Sequence, residues 1–174
     1  MEDTKTLTLM AGSGGNGSVS FLREKYRPNA GPDGGDGGEG GSVILRGMRN
    51  LRSLNHFEGV YKVIAEDGLP GKSKKRTGRK GKPIYLDVPL GTIVWSMGEE
   101  EEKIRLAEVL EEGERVLIAY GGKGGIGNTH FASSVNQEPL LAIGGEPGEA
   151  REVQLEIKLL ADVGLVGLPN AGKS

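Results

Sequence analysis

The chain has 174 residues, enough for one domain of ordinary size with a stub of a second. It contains no cysteine, which excludes disulfides and thiolate metal sites, and its acidic start, "MEDTKTL", carries none of the marks of an export signal. No apolar run approaches the ~18 residues of a membrane span, and a net charge of −2 excludes a general pull toward nucleic acid, although charge is unevenly spread.

Taken in order, the first strand signal is "TLTLM" (6–10), with Leu7 and Leu9 on one face. "SVSF" (18–21) repeats the alternation with Val19 and Phe21, and "GSVILR" (41–46) follows. "MRNLRSLNHF" (48–57) reads as a short helix. Further strand candidates are "YKVIAE" (61–66), "PIYLDVPLGTIVW" (83–95) and "RVLIAY" (115–120), while "KIRLAEVLEE" (103–112) fits helix or strand. In "EVQLEIKLL" (152–160) Val153, Leu155, Ile157 and Leu159 face one way, and Glu152, Gln154, Glu156 and Lys158 the other. That period of two means a half-buried strand. Long helical patterns are absent, so the body reads as all-β, a small barrel or sandwich.

The 31 glycines have their own period. Residues 31–42 divide into GPD, GGD, GGE and GGS; 121–129 into GGK, GGI and GNT; 14–19 into GGN and GSV. Three residues per turn is the polyproline II repeat, which makes no internal hydrogen bonds and must pair its backbone elsewhere. A bundle of short glycine helices within one chain accounts for this phasing better than flexible linkers do. Asp33, Asp36 and Glu39, one per triplet, would line a single ridge, read as solvated rather than as a cation site.

G-x-G-x-x-G occurs three times, at 12–17, 35–40 and 122–127, but no helical pattern follows any copy, so none is read as a dinucleotide site. The run Gly167, Leu168, Pro169, Asn170, Ala171, Gly172, Lys173, Ser174 is different: it fits G-x-x-x-x-G-K-[ST] and follows the buried-strand pattern "LLADVGLV". In such loops backbone amides cradle phosphate, the lysine reaches the β and γ phosphates, and the hydroxyl, here that of Ser174, binds Mg²⁺. His56 and His130 have no partners at metal-ligand spacing and read as structural or exposed. In "KSKKRTGRKGK" (72–82), Lys72, Lys74, Lys75, Arg76, Arg79, Lys80 and Lys82 supply seven cations with no acid, against an acidic "GEEEEK" at 98–103. On composition the run is equally a solvated loop or a nucleic-acid contact. Its place between two strands makes it the tip of a projecting loop, which Gly71, Gly78 and Gly81 would keep supple.

Several of these stretches together resemble the Obg family of GTPases: "AGSGGNGSVSFLREKYRPNAGPDGGDGGEGGSV" (11–43), "AEDG" (65–68), "VPLGT" (88–92), "GGKGGIGN" with Phe131, "GEPGE" (145–149) and "ADVGLVGLPNAGKS" (161–174). Ala30 replaces a glycine usual in the family, and 96–105 is unusually acidic. The resemblance implies a mainly β fold, a glycine-rich polyproline II bundle mounted on a small β-barrel. Residues 1–160 would form this Obg domain, and 161–174 the truncated first strand and phosphate loop of an α/β GTP-binding domain. It also implies a cytoplasmic, monomeric module with no membrane role. Its partners would be the large ribosomal subunit and 23S rRNA, reached near the peptidyl-transferase region, and it would act in subunit assembly and in guanine-nucleotide (ppGpp) stress control. The full-length protein would hydrolyse GTP to GDP with Mg²⁺, bound through Gly167–Ser174, whereas this chain would bind nucleotide poorly and be inactive.

RNA binding is then expected at the seven cations of 72–82. The alternatives are a protein-interaction module that positions a regulatory GTPase without touching RNA, and the start of an unrelated phosphate-loop kinase or ATPase. Salt-dependent binding to 23S RNA separates the first from the second, and an N-K-x-D motif downstream would exclude the third.

Overall fold

Alternating apolar residues become eight strands in the computed structural model, which describes residues 4–27 and 30–158. They are β1 (Thr4–Met10), β2 (Val43–Met48), β3 (Lys62–Ile64), β4 (Ile84–Pro89), β5 (Thr92–Met97), β6 (Lys103–Val109), β7 (Arg115–Ala119) and β8 (Ala150–Ile157). A five-stranded sheet runs β3-β1-β8-β5-β6 and a three-stranded sheet β4-β2-β7. The β1–β3 and β2–β4 pairs are parallel and the rest antiparallel.

The period-two pattern explains which face is buried. Leu7 pairs with Val153 across β1 and β8, and Leu155 pairs with Val94 across β8 and β5, so one sheet presents Leu7, Leu9, Val94, Val153 and Leu155 inward. The other presents Val43, Leu45, Leu86, Val88 and Ile118, and both sets belong to one apolar core. The result is a small β-barrel whose ladders do not close between the two sheets among the described residues.

Three readings of local sequence are corrected. The stretch 83–95 is two strands in different sheets, broken at Leu90–Gly91, where Gly91 adopts φ +87° and the Thr92 hydroxyl donates to the Pro89 carbonyl (2.7 Å). In 48–57, Met48 ends β2 and the helical part is a 3-10 turn at Asn55–Phe57, which brings Leu54 and Phe57 to the core at a spacing of three. Residues 18–21 form no strand; Phe21 makes one isolated bridge to Pro32, and Val19 is exposed. The ambiguous 103–112 stretch is resolved as β6.

Six extended arms leave the barrel, covering roughly 11–20, 31–42, 65–72, 76–82, 121–128 and 143–149. Their backbone pairs arm to arm at intervals of three. The Gly12, Gly15 and Ser18 amides donate to the Gly41, Gly38 and Gly35 carbonyls, and the Gly35, Gly38 and Gly41 amides to Lys72, Leu69 and Glu66. Gly37 and Gly40 donate on another side, to Gly125 and Gly122. A Cβ at Gly37 would lie 1.8 Å from the Gly15 carbonyl oxygen, so the arms approach backbone to backbone and leave no room for side chains. The glycines of the basic run are equally enclosed. Cβ atoms at Gly71, Gly78 and Gly81 would each stand 2.0 Å from a carbonyl oxygen, so 66–82 is two bundled arms rather than a supple loop.

A candidate nucleic-acid interface at the far end of the bundle

Three connections meet where the bundle ends away from the barrel: 20–27 with 30–31, 72–76 and 128–143. Asn128 knits them together. Fully buried, it accepts from the Gly34 amide at 2.9 Å and donates to the carbonyls of Ser20 (3.0 Å) and Pro139 (3.1 Å). Thr129 adds a hydroxyl bond to the Gly34 carbonyl at 2.7 Å. A side-chain amide can satisfy three strangers at once, which suits a junction where backbone ladders run out.

The tip at 72–76 is a tight reversal, with the Lys72 amide bonded to the Arg76 carbonyl. Lys74 and Lys75 sit at φ +62° and +55°, a left-handed conformation costing roughly 1–2 kcal/mol for each such residue. Asp33 holds them there. Its carboxylate Oδ2 accepts from the Lys74 amide (2.9 Å) and its carbonyl from the Lys75 amide (2.6 Å). The expected solvated ridge is therefore corrected: Asp33 is buried, and Asp36 accepts from the Gly127 amide (2.8 Å) with His130 Nε2 at 3.1 Å. Glu39 alone stays on the open face, 3.9 Å from the Lys80 ammonium.

All seven cations of the run are exposed, but they divide into two groups. Lys72, Lys74, Lys75 and Arg76 occupy the tip. Arg79, Lys80 and Lys82 run back along the bundle toward β4, where Arg79 lies 3.6 Å from Glu66 and Lys80 faces Glu39. The neighbouring reversal at 24–27, closed by mutual bonds between Glu24 and Arg27, adds exposed Arg23, Lys25 and Arg27 around exposed Tyr26. Sequence reading passed over this group, although "REKYR" carries the signal of cations interleaved with an aromatic. Residues 21–27, 72–76 and 128–143 thus gather seven Lys and Arg against only Glu24 and Glu138. Val135 and Leu140 are also exposed there, beside an open cleft of about 770 Å³ between Ala30–Gly31 and 132–138.

Elsewhere, Arg46 and Arg115 both lie over the Tyr85 ring, and the hydrogen bond that the Arg46 guanidinium donates to the Asp87 carboxylate holds it even more firmly protonated than usual. His56 Nε2 is bonded to the Asp87 carbonyl at 2.7 Å. No group of three or more His, Cys, Asp or Glu able to hold a metal ion occurs among the described residues, and none of their helices is long and apolar enough to cross a membrane. The phosphate-loop residues, Gly167 to Ser174, lie outside the described residues.

The GTP1/OBG family model matches residues 2–159, a span that takes in every strand of the barrel and every arm of the bundle. The chain belongs to the GTP1/OBG family.

Proposed function

We propose that this chain is the ribosome-docking, rRNA-binding module of an Obg-type GTPase that acts in assembly of the large ribosomal subunit and in guanine-nucleotide-linked (ppGpp) stress control. The observation that carries this reading is the cationic far end: seven Lys and Arg against two acids, held on a backbone-bonded bundle. A polyanion with grooves is the partner such a projection suits, and 23S rRNA in the large subunit offers both. The module works in the cytoplasm as a monomer, away from membranes. GTP or GDP with Mg²⁺ belongs to the phosphate-loop part of the protein; Gly167–Ser174 supply one wall of that site and bind nucleotide weakly by themselves.

The test is a salt titration of binding to large subunits. Each lost phosphate contact flattens the slope of log affinity against log salt by about 0.7–0.9. Changing Arg23, Lys25, Arg27, Lys74 and Lys75 to glutamine should therefore flatten it by about 3.5–4.5. Changing Arg79, Lys80 and Lys82 should do less, because Glu66 and Glu39 already face two of them. Equal slopes for the natural chain and the far-end variant would overturn the RNA reading. Tight, salt-insensitive binding would then favour a protein partner, for which exposed Val135 and Leu140 are the supporting observation.

A further inference from the structure

The most costly local feature of the far end is the one at its tip. Two consecutive lysines adopt a backbone conformation that glycine or asparagine would take more easily. The residue that holds them, Asp33, is buried, and its second carboxylate oxygen, Oδ1, has no hydrogen-bond partner among the described residues. Strained backbone and an unsatisfied buried acceptor both lower stability, and such features gather where geometry serves a function. A looser loop with the same charges would have been cheaper.

We infer that Asp33 is a positioning residue for phosphate-backbone recognition: by fixing the amides of Lys74 and Lys75 from behind, it aims two ammonium groups outward as a preset pair. This rests on the RNA-docking reading above. It adds that the tip binds through preorganisation as well as charge, since ordering two flexible lysines at the moment of binding would offset part of the gain.

The sign of one substitution separates this from simple electrostatics. Asp33→Ala and Asp33→Asn each remove one negative charge, so a charge-count argument has both variants bind RNA more tightly than the natural chain, and equally. Positioning expects a split. Asp33→Asn keeps an oxygen for the Lys74 amide and should bind large subunits within about twofold of the natural chain. Asp33→Ala should bind about tenfold more weakly, with a salt slope shallower by up to two contacts, about 1.4–1.8.

Should Asp33→Ala fail to fold, one glycine inserted between Lys74 and Lys75 asks the same question. It keeps every charge and Asp33, falls at an exposed reversal that tolerates insertion, and should show the same shallower slope. A readout without RNA completes the test. Trypsin should cut after Lys74 and Lys75 several-fold faster in the insertion variant, while cleavage after Arg79 and Lys80 is unchanged. Binding and cleavage equal to the natural chain's in the insertion variant, or equal binding by the two Asp33 variants, would overturn the role of Asp33 and leave docking intact. Loss of salt-dependent binding by the natural chain would overturn both.

Discussion

At the residue scale, glycine does two unrelated jobs in this protein. Gly59 serves conformation: it stands at φ +79° with nothing within 4 Å of where a Cβ would be. Gly37 serves space, with a carbonyl oxygen 1.8 Å from that position. Gly59→Ala should therefore cost about 1–2 kcal/mol through backbone strain alone. Gly37→Val should cost more than about 4 kcal/mol or prevent folding, because backbone cannot move aside as a side chain can. Urea denaturation of both variants checks this, and similar small losses would mean that the arms are loosely apposed. The triplet phase was legible in sequence because glycine has no substitute at such closeness. The roles of Asp33 and Asp36 were not legible. Their amide donors, Lys74 and Gly127, lie 41 and 91 residues away, and nothing local to an aspartate announces a distant amide.

Among elements, legibility followed length and glycine density. β8 was plain from its long alternation, whereas four alternating residues at 18–21 could not distinguish a strand from an arm. Three arms were recognised from doubled glycines and three were missed. The inner arms, 11–20, 31–42 and 121–128, press against neighbours on several sides and carry two glycines in most triplets. The outer arms carry one glycine pressed on backbone at the matching interval: Gly68 and Gly71, Gly78 and Gly81, Gly145 and Gly148, with Gly144 meeting only the Asn16 side chain. One glycine every third residue was thus a signal in itself, too sparse to stand out from ordinary loop composition. Hydrogen exchange should reveal the arms directly. The amides of Gly35, Gly37, Gly38 and Gly40 are bonded and should exchange slowly, as strand amides do. Those of Asp36 and Glu39, which find no acceptor among the described residues, should exchange fast. Uniformly fast exchange across 31–42 would mean that this pairing does not persist in solution.

For the molecule as a whole, the junction between barrel and bundle is the organising fact. Each arm continues directly into, or out of, a strand: β1, β2, β3, β4, β7 and β8 all pass their chain to the bundle, and only β5 and β6 do not. The two halves cannot shift separately without tearing strand register. They should unfold in one transition, with the midpoint reported by Trp95 on β5 coinciding with that from calorimetry, as two-state behaviour requires. Two separated midpoints would show a bundle that melts by itself.

Six arms of one chain, lashed along their backbones, make a stiff rod without a greasy interior. At about 3.1 Å per residue, ten residues of the 31–42 arm extend it by about 30 Å. A cationic tail of equal charge would mould itself to any polyanion it met. This rod cannot mould. On the docking proposed above, it would enter a slot of matching depth or stay out, so a host whose slot is collapsed or half-built would be refused by shape before any charge is counted.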